Sequence, residues 1–179
     1  MYKVSLLASL IFLAGCSGNK TIAQYQPSYN FSGVEAYSLY ERSSDFSDYQ
    51  NLSHADRNSI EIAIENALDA HGLVYQEIKD ADVIVSYHYL DGNVAEFQRY
   101  NKGVKYCAPC LRKSNNPAKQ RPQRGSLVLD ILDKKQERTV WRANYPLRLK
   151  VKDNSREIHS KVSEAVSSML ALSPIAGKN

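Results

Sequence analysis

The sequence lacks any long hydrophobic run after Leu13. Its one apolar stretch, Val4–Leu13, has ten residues, whereas a membrane-spanning helix needs about 20. Over all 179 residues the mean hydropathy is −0.45. The 43% of hydrophobic residues is nevertheless enough for one ordinary core. Composition therefore predicts a globular chain and argues against a transmembrane bundle.

The familiar catalytic signatures are missing as well. The chain has no Gly-x-Ser-x-Gly, no phosphate-binding glycine loop and no His-Glu-x-x-His. Its four histidines stand apart from one another and from any nucleophile motif. We therefore predict that the protein is not an enzyme and that it has no cofactor and no metal site.

Acidic residues are absent between Phe97 and Leu129, although the net charge of the chain is only +4. The same interval holds eight basic residues, which leaves about −4 for the rest of the chain. A charge of this size does not by itself indicate a nucleic-acid-binding protein. It indicates a mildly acidic body that carries one basic segment.

The amino terminus has the pattern of a bacterial export signal. Met1-Tyr2-Lys3 is a short basic region, the apolar stretch follows, and Leu13-Ala14-Gly15-Cys16 closes it. These four residues resemble the lipobox of bacterial lipoproteins. The resemblance implies cleavage after Gly15, a diacylglyceryl thioether on the Cys16 sulfur, and a further acyl chain such as palmitate on the freed amine. Because Ser17 is not an aspartate, it also implies the periplasmic face of the outer membrane.

Four domain assignments follow along the chain. Residues 1–15 are a signal peptide, 16–28 a lipidated flexible tether, 29–174 a single domain, and 175–179 a tail. Within the domain, residues 99–124 form a basic insertion, which we expect to be a long loop.

The hydrophobic pattern predicts an α+β fold. Alternation predicts strands over 31–40, 73–78, 83–89 and 127–131, and a hairpin partner over 139–145. Two stretches have helical spacing, one after Ser53 and ending at Gly72, the other after Asn154 and ending before Pro174. We predict a two-layer sandwich, with a mixed sheet of about five strands and two amphipathic helices packed on one face.

The order of these elements resembles the small bacterial periplasmic lipoproteins that share the domain of unknown function 4136. The likeness covers nearly the whole mature chain. Its motifs are Ala70-His71-Gly72-Leu73, Ala81-Asp82-Val83-Ile84-Val85-Ser86-Tyr87 and Gly125-Ser126-Leu127-Val128-Leu129-Asp130, together with the lipobox, the first strand and the two helices. The resemblance implies an envelope location and an α+β domain, but no reaction.

Cys107-Ala108-Pro109-Cys110 contains the remaining two cysteines. In the oxidising periplasm this pair is expected to form a structural disulfide. Redox catalysis and metal binding stay open, although the motif lacks a thioredoxin-like βαβ context and zinc would need two more ligands.

The basic segment is the candidate binding surface. Its cations would contact an anionic lipid, peptidoglycan or an envelope protein, and nucleic acid is not an expected partner in the periplasm. The candidate contacts are Lys102, Lys105, Arg112, Lys113, Lys119, Arg121 and Arg124. We predict a non-enzymatic binding or assembly module that is lipid-anchored at the outer membrane. The alternative is a periplasmic thiol redox or metal-handling protein that uses Cys107 and Cys110.

Overall fold

A six-stranded mixed sheet forms the centre of the molecule. The computed structural model describes residues 21–42, 50, 52–111 and 121–175. The strands are β1 (Ile22–Tyr25), β2 (Ala36–Leu39), β3 (Val74–Tyr75), β4 (Val83–Leu90), β5 (Ser126–Asp133) and β6 (Arg138–Tyr145). Their order across the sheet is β1-β6-β5-β4-β2-β3. β2 runs parallel to β3 and β4, and the other pairs are antiparallel.

The first helix, α1 (His54–Ala70), begins and ends where its sequence signals predict. The Ser53 hydroxyl accepts the backbone N–H of Asp56, which satisfies one of the unpaired amides of the first turn. Gly72 follows the helix with a φ of +79°, a conformation that glycine adopts without a steric penalty. Ile60, Ile64 and Leu68 form the apolar stripe and are at most 1% exposed.

The last helix, α3 (Ser155–Leu170), begins with a complete capping box. Asn154 accepts the N–H of Glu157, and the Glu157 carboxylate accepts the N–H of Asn154. α3 packs beside α1, and both helices cover one face of β5 and β6. The core between these layers includes Trp141, whose side chain is fully buried.

The α+β class, the mixed sheet and the two helices packed together are confirmed, and the sheet has six strands where about five were expected. The additional strand, β1, lies inside the segment predicted as a flexible tether. Its four residues pair with β6 from Ile22↔Asn144 to Tyr25↔Trp141, and a strand on a sheet edge gains such a partner whatever its composition. The domain therefore begins at Ile22, and at its other end Ile175, predicted to start the tail, is buried.

A third helix, α2 (Val94–Gly103), occupies part of the predicted basic loop. It covers the sheet face opposite α1 and α3, where Tyr100 and Val104 pack against Val128 and Leu132. Its start has a recognisable signal, because Asn93 caps the helix and Glu96 follows three residues later. The abundance of polar and basic residues concealed that signal in the sequence.

None of the helices within the described ranges is both long enough and apolar enough to cross a membrane.

Candidate functional site

A row of polar side chains crosses the sheet beneath α2. The strand register places Ser86 opposite Asp130, Asp130 opposite Arg142, and Arg142 opposite Gln24. All four residues are at most 4% exposed. Because alternate residues of a strand share one face, the whole row points away from the apolar core.

The centre of this row is a buried ion pair. The Arg142 guanidinium donates from Nε to Asp130 Oδ1 over 2.7 Å and from Nη2 to Asp130 Oδ2 over 2.8 Å. Burial alone would lower the pKa of Arg142, but the charge and hydrogen bonds of Asp130 outweigh that effect and raise it. A fork of this kind fixes the relative position of the two side chains, which belong to neighbouring strands.

Residues from α2 and the turn after it complete the cluster. The Tyr100 hydroxyl donates to Asp130 Oδ2 over 2.6 Å, and Asn101 Oδ1 accepts from Arg142 Nη1 over 2.7 Å. The Tyr106 ring lies 3.7 Å from the guanidinium carbon of Arg142. We call Tyr100, Asn101, Tyr106, Asp130 and Arg142 the buried polar cluster.

His88 lies beside this cluster and stacks on Tyr100, with ring centroids 4.8 Å apart. The side chain is 1% exposed, and burial lowers its pKa to about 4. Its Nδ1 atom has no hydrogen-bond partner among the described residues. The imidazole is therefore neutral at neutral pH and functions as an aromatic surface under α2.

This arrangement favours a structural role for the buried polar cluster. Each charged or hydroxyl group in it is bonded to another member, and α2 closes it from solvent. A general acid or base must reach the substrate atom that it protonates or deprotonates. The cluster offers no such access, and its chemistry is that of holding α2 on the sheet.

The cations predicted as contacts do not form one surface. Lys102 ends α2, and Lys105 Nζ pairs with Glu137 of the β5–β6 turn over 2.6 Å. Arg124 lies beside Gly92 at the opposite end of the sheet, next to Arg121 in the chain. Three of the predicted contacts fall outside the described residues, as does Cys16; they are Arg112, Lys113 and Lys119.

Cys107 and Cys110 form a disulfide, with their Cα atoms 5.2 Å apart. The bond closes around the 3₁₀ turn Ala108–Cys110, which has only three residues. A redox dithiol usually has its reactive thiolate stabilised at the start of an α-helix. This turn does not supply such a helix.

The far end of the sheet, where the β5–β6 turn lies, carries a cleft of about 580 Å³. Asp82 in its wall accepts the backbone N–H groups of Glu35 and Ala36, and Asp133 accepts that of Gln136. These bonds occupy the carboxylates in local structure. Across the part of the chain that the structure describes, no three His, Cys, Asp or Glu side chains are placed to hold a metal ion.

The sequence profile of DUF4136, a domain of unknown function, matches residues 22–175. The family resemblance drawn from the sequence is thereby confirmed. No curated protein matches the chain.

Among solved structures, a DUF4136 family protein from Bacteroides thetaiotaomicron is similar with a TM-score of 0.58 and 15% identity, over 90% of this chain and 100% of that one. A PDZ domain protein from Parabacteroides distasonis has a TM-score of 0.51 and 14% identity, over 86% of this chain and 35% of that one. The PelC dodecamer from Paraburkholderia phytofirmans reaches a TM-score of 0.42 at 12% identity, over 89% of this chain and 98% of that one. The first two likenesses show a shared fold.

Proposed function

This chain belongs to the DUF4136 family, and we propose that it is a lipid-anchored, non-enzymatic binding or assembly module at the periplasmic face of the outer membrane. The observation that carries the proposal is the spacing between lipobox and fold. Cys16 precedes the first strand residue, Ile22, by six positions. A chain of that length spans at most about 20 Å, which would hold the domain close to the bilayer.

The acyl chains would supply the anchor. One chain gives marginal and reversible membrane binding, whereas two or more, at about 0.8 kcal/mol per buried methylene, hold a protein firmly. Placement in the outer membrane follows from Ser17, which lacks the carboxylate of an inner-membrane retention signal.

The non-enzymatic part of the proposal is supported by the closure of the buried polar cluster. Tyr100, Asp130 and Arg142 are the groups that could otherwise act as an acid, a base or an anion clamp, and they bind one another beneath α2. The disulfide supports the same interpretation, because its short turn suits a structural clip better than a catalytic dithiol.

Lipidation is tested by growing cells with an alkynyl fatty acid and analysing the amino-terminal peptide by mass spectrometry. We expect label on Cys16 and loss of membrane association in a Cys16→Ala variant. A Ser17→Asp variant should remain lipidated but move to inner-membrane fractions on a density gradient. Membrane association of Cys16→Ala at the wild-type level would overturn the proposed anchor.

Binding is tested by crosslinking in intact cells followed by pull-down of the lipidated chain. Arg121 and Arg124 are exposed, whereas Lys105 is already paired with Glu137. We therefore expect partners to be lost from an Arg121→Gln/Arg124→Gln variant and retained in Lys105→Gln. The same partners in both variants would exclude the basic segment as the contact surface.

The redox alternative has a separate test. Insulin reduction by the purified chain, abolished by Cys107→Ser, would replace the binding proposal with an oxidoreductase. We expect the disulfide to be inert in this assay.

A further inference from the structure

One end of the sheet lies next to the point where the proposed tether enters the fold. Ile22 begins β1 opposite Asn144, near the carboxyl end of β6. At the same end, Ser126 begins β5 opposite Leu90, the last residue of β4. The loops after β4, before β5 and after β6 therefore emerge on the side of the molecule nearest to Cys16.

These loops carry a continuous group of exposed cations. Arg124 packs against Gly92, and the Arg148 N–H donates to the carbonyl of Gly125 over 2.7 Å, which joins the three loops. We call this group the tether-side surface. Its cations, all exposed, are Arg121, Arg124, Arg148, Lys150 and Lys152.

The carboxylates near this surface are engaged by their own turns. Asp91 accepts the N–H of Asn93, and Glu96 accepts the Asn93 side-chain amide. Asp153 accepts from Lys161 Nζ over 2.6 Å, and Glu157 belongs to the capping box of α3. The surface therefore presents cations whose charges these carboxylates offset only in part.

A single hydrophobic residue stands among the cations. Val151 lies between Lys150 and Lys152 and is 109% exposed, so it contacts nothing else in the fold. One exposed valine is ordinary on a protein surface. Here it is flanked by two lysines at the end of the domain that the tether would hold near lipid, and an apolar tip between cations suits the boundary between headgroups and acyl chains.

We infer that the tether-side surface lies on the membrane, with its cations on anionic phospholipid headgroups and Val151 at the acyl boundary. The inference rests on the proposed lipid anchor and adds an orientation to it. The tether would bring the surface to the bilayer, and charge complementarity would then select this end of the sheet over the others. The far end, with Glu137 and the acidic cleft, would point into the periplasm.

The test uses the lipidated mature chain in vesicles. A Val151→Cys variant is labelled with an environment-sensitive fluorophore without reductant, so that the disulfide between Cys107 and Cys110 stays closed. The matched control is Lys135→Cys, an exposed site at the far end. Quenching by doxyl lipids is compared in phosphatidylcholine vesicles with and without phosphatidylglycerol.

We expect strong quenching at position 151 when phosphatidylglycerol is present and little at position 135. Lys150→Gln/Lys152→Gln should reduce the ratio of membrane-apposed to free orientations by roughly fivefold per cation, whereas Lys79→Gln/Lys135→Gln should leave it unchanged. Equal quenching at the two labelled positions, or quenching indifferent to phosphatidylglycerol, would overturn the inference.

Flotation separates the two proposals. Flotation with pure phosphatidylcholine vesicles needs only the acyl chains, so its failure would overturn the anchor and with it the inference. Flotation without quenching at position 151 would overturn the orientation and leave the anchor standing.

Discussion

Removing the carboxylate of Asp130 should be among the most damaging single changes in the domain. Arg142 is 4% exposed, and its guanidinium would be left buried without its counter-ion. Removal of one partner from a buried ion pair costs about 3–5 kcal/mol. Since a whole domain is stable by about 5–15 kcal/mol, Asp130→Ala is expected to remove a large part of the free energy of unfolding.

Two further variants test the physical reason. Tyr100→Phe removes only the 2.6 Å hydrogen bond to Asp130, a bond to a charged group, and is expected to cost about 1.5–3 kcal/mol. A triple variant, Tyr100→Phe/Asp130→Leu/Arg142→Met, removes both charges and the hydroxyl together. It is expected to be more stable than Asp130→Ala, because no unpaired charge remains in the interior.

Urea unfolding followed by circular dichroism measures all three variants, with Asp80→Ala as the control for loss of a carboxylate at an exposed site. If Asp130→Ala does not fold, Tyr100→Phe still gives a measurable midpoint. A cost for Asp130→Ala within about 1 kcal/mol of the control, or a triple variant less stable than Asp130→Ala, would refute the account of the buried ion pair.

Three other predictions concern stability. The pKa of His88, about 4 in the folded chain, lies below its ordinary 6.5. The unfolded chain therefore binds the proton more tightly, and the free energy of unfolding should fall by about 3 kcal/mol as the pH drops from 6.5 to 4. His88→Phe should flatten that part of the pH profile, and an unchanged profile would contradict the shift. Cys107→Ser/Cys110→Ser should lower stability by about 2 kcal/mol, since the disulfide closes a short loop; no difference between reduced and oxidised wild type in urea would argue against this value. Asn154→Ala should cost about 1 kcal/mol by removing the cap of α3, and an unchanged thermal midpoint would show that the capping box is dispensable.

The helices that pack on the core could be predicted because two independent signals coincide at each. In α3, the cap at Asn154 precedes an apolar stripe that continues through Val162 and Met169, both fully buried. In α1, the Ser53 cap and Gly72 delimit the stripe in the same way. Such periodicity reflects burial on one side, so it is visible without knowledge of the partner.

β1 and α2 escaped prediction because their stability comes from partners distant in the chain. The four residues of β1 have little alternation, and their pairing depends on the free edge of β6, more than 100 residues later. α2 is polar along most of its length, and its burial rests on Tyr100 and Val104. Local propensity is weak evidence when tertiary contacts decide the outcome.

The buried polar cluster was hidden for a related reason. Asp130 alternates with Leu129 and Ile131, and a polar residue in that position of a strand usually faces water. Only the covering helix converts it into a buried group, and its partner Arg142 lies on another strand. It follows that α2 is held on the sheet by a few polar contacts as well as by a small apolar patch. Breaking the ion pair should therefore loosen α2 before the α1 and α3 layer, and hydrogen exchange in Asp130→Ala should show faster amide exchange in α2 than in α1.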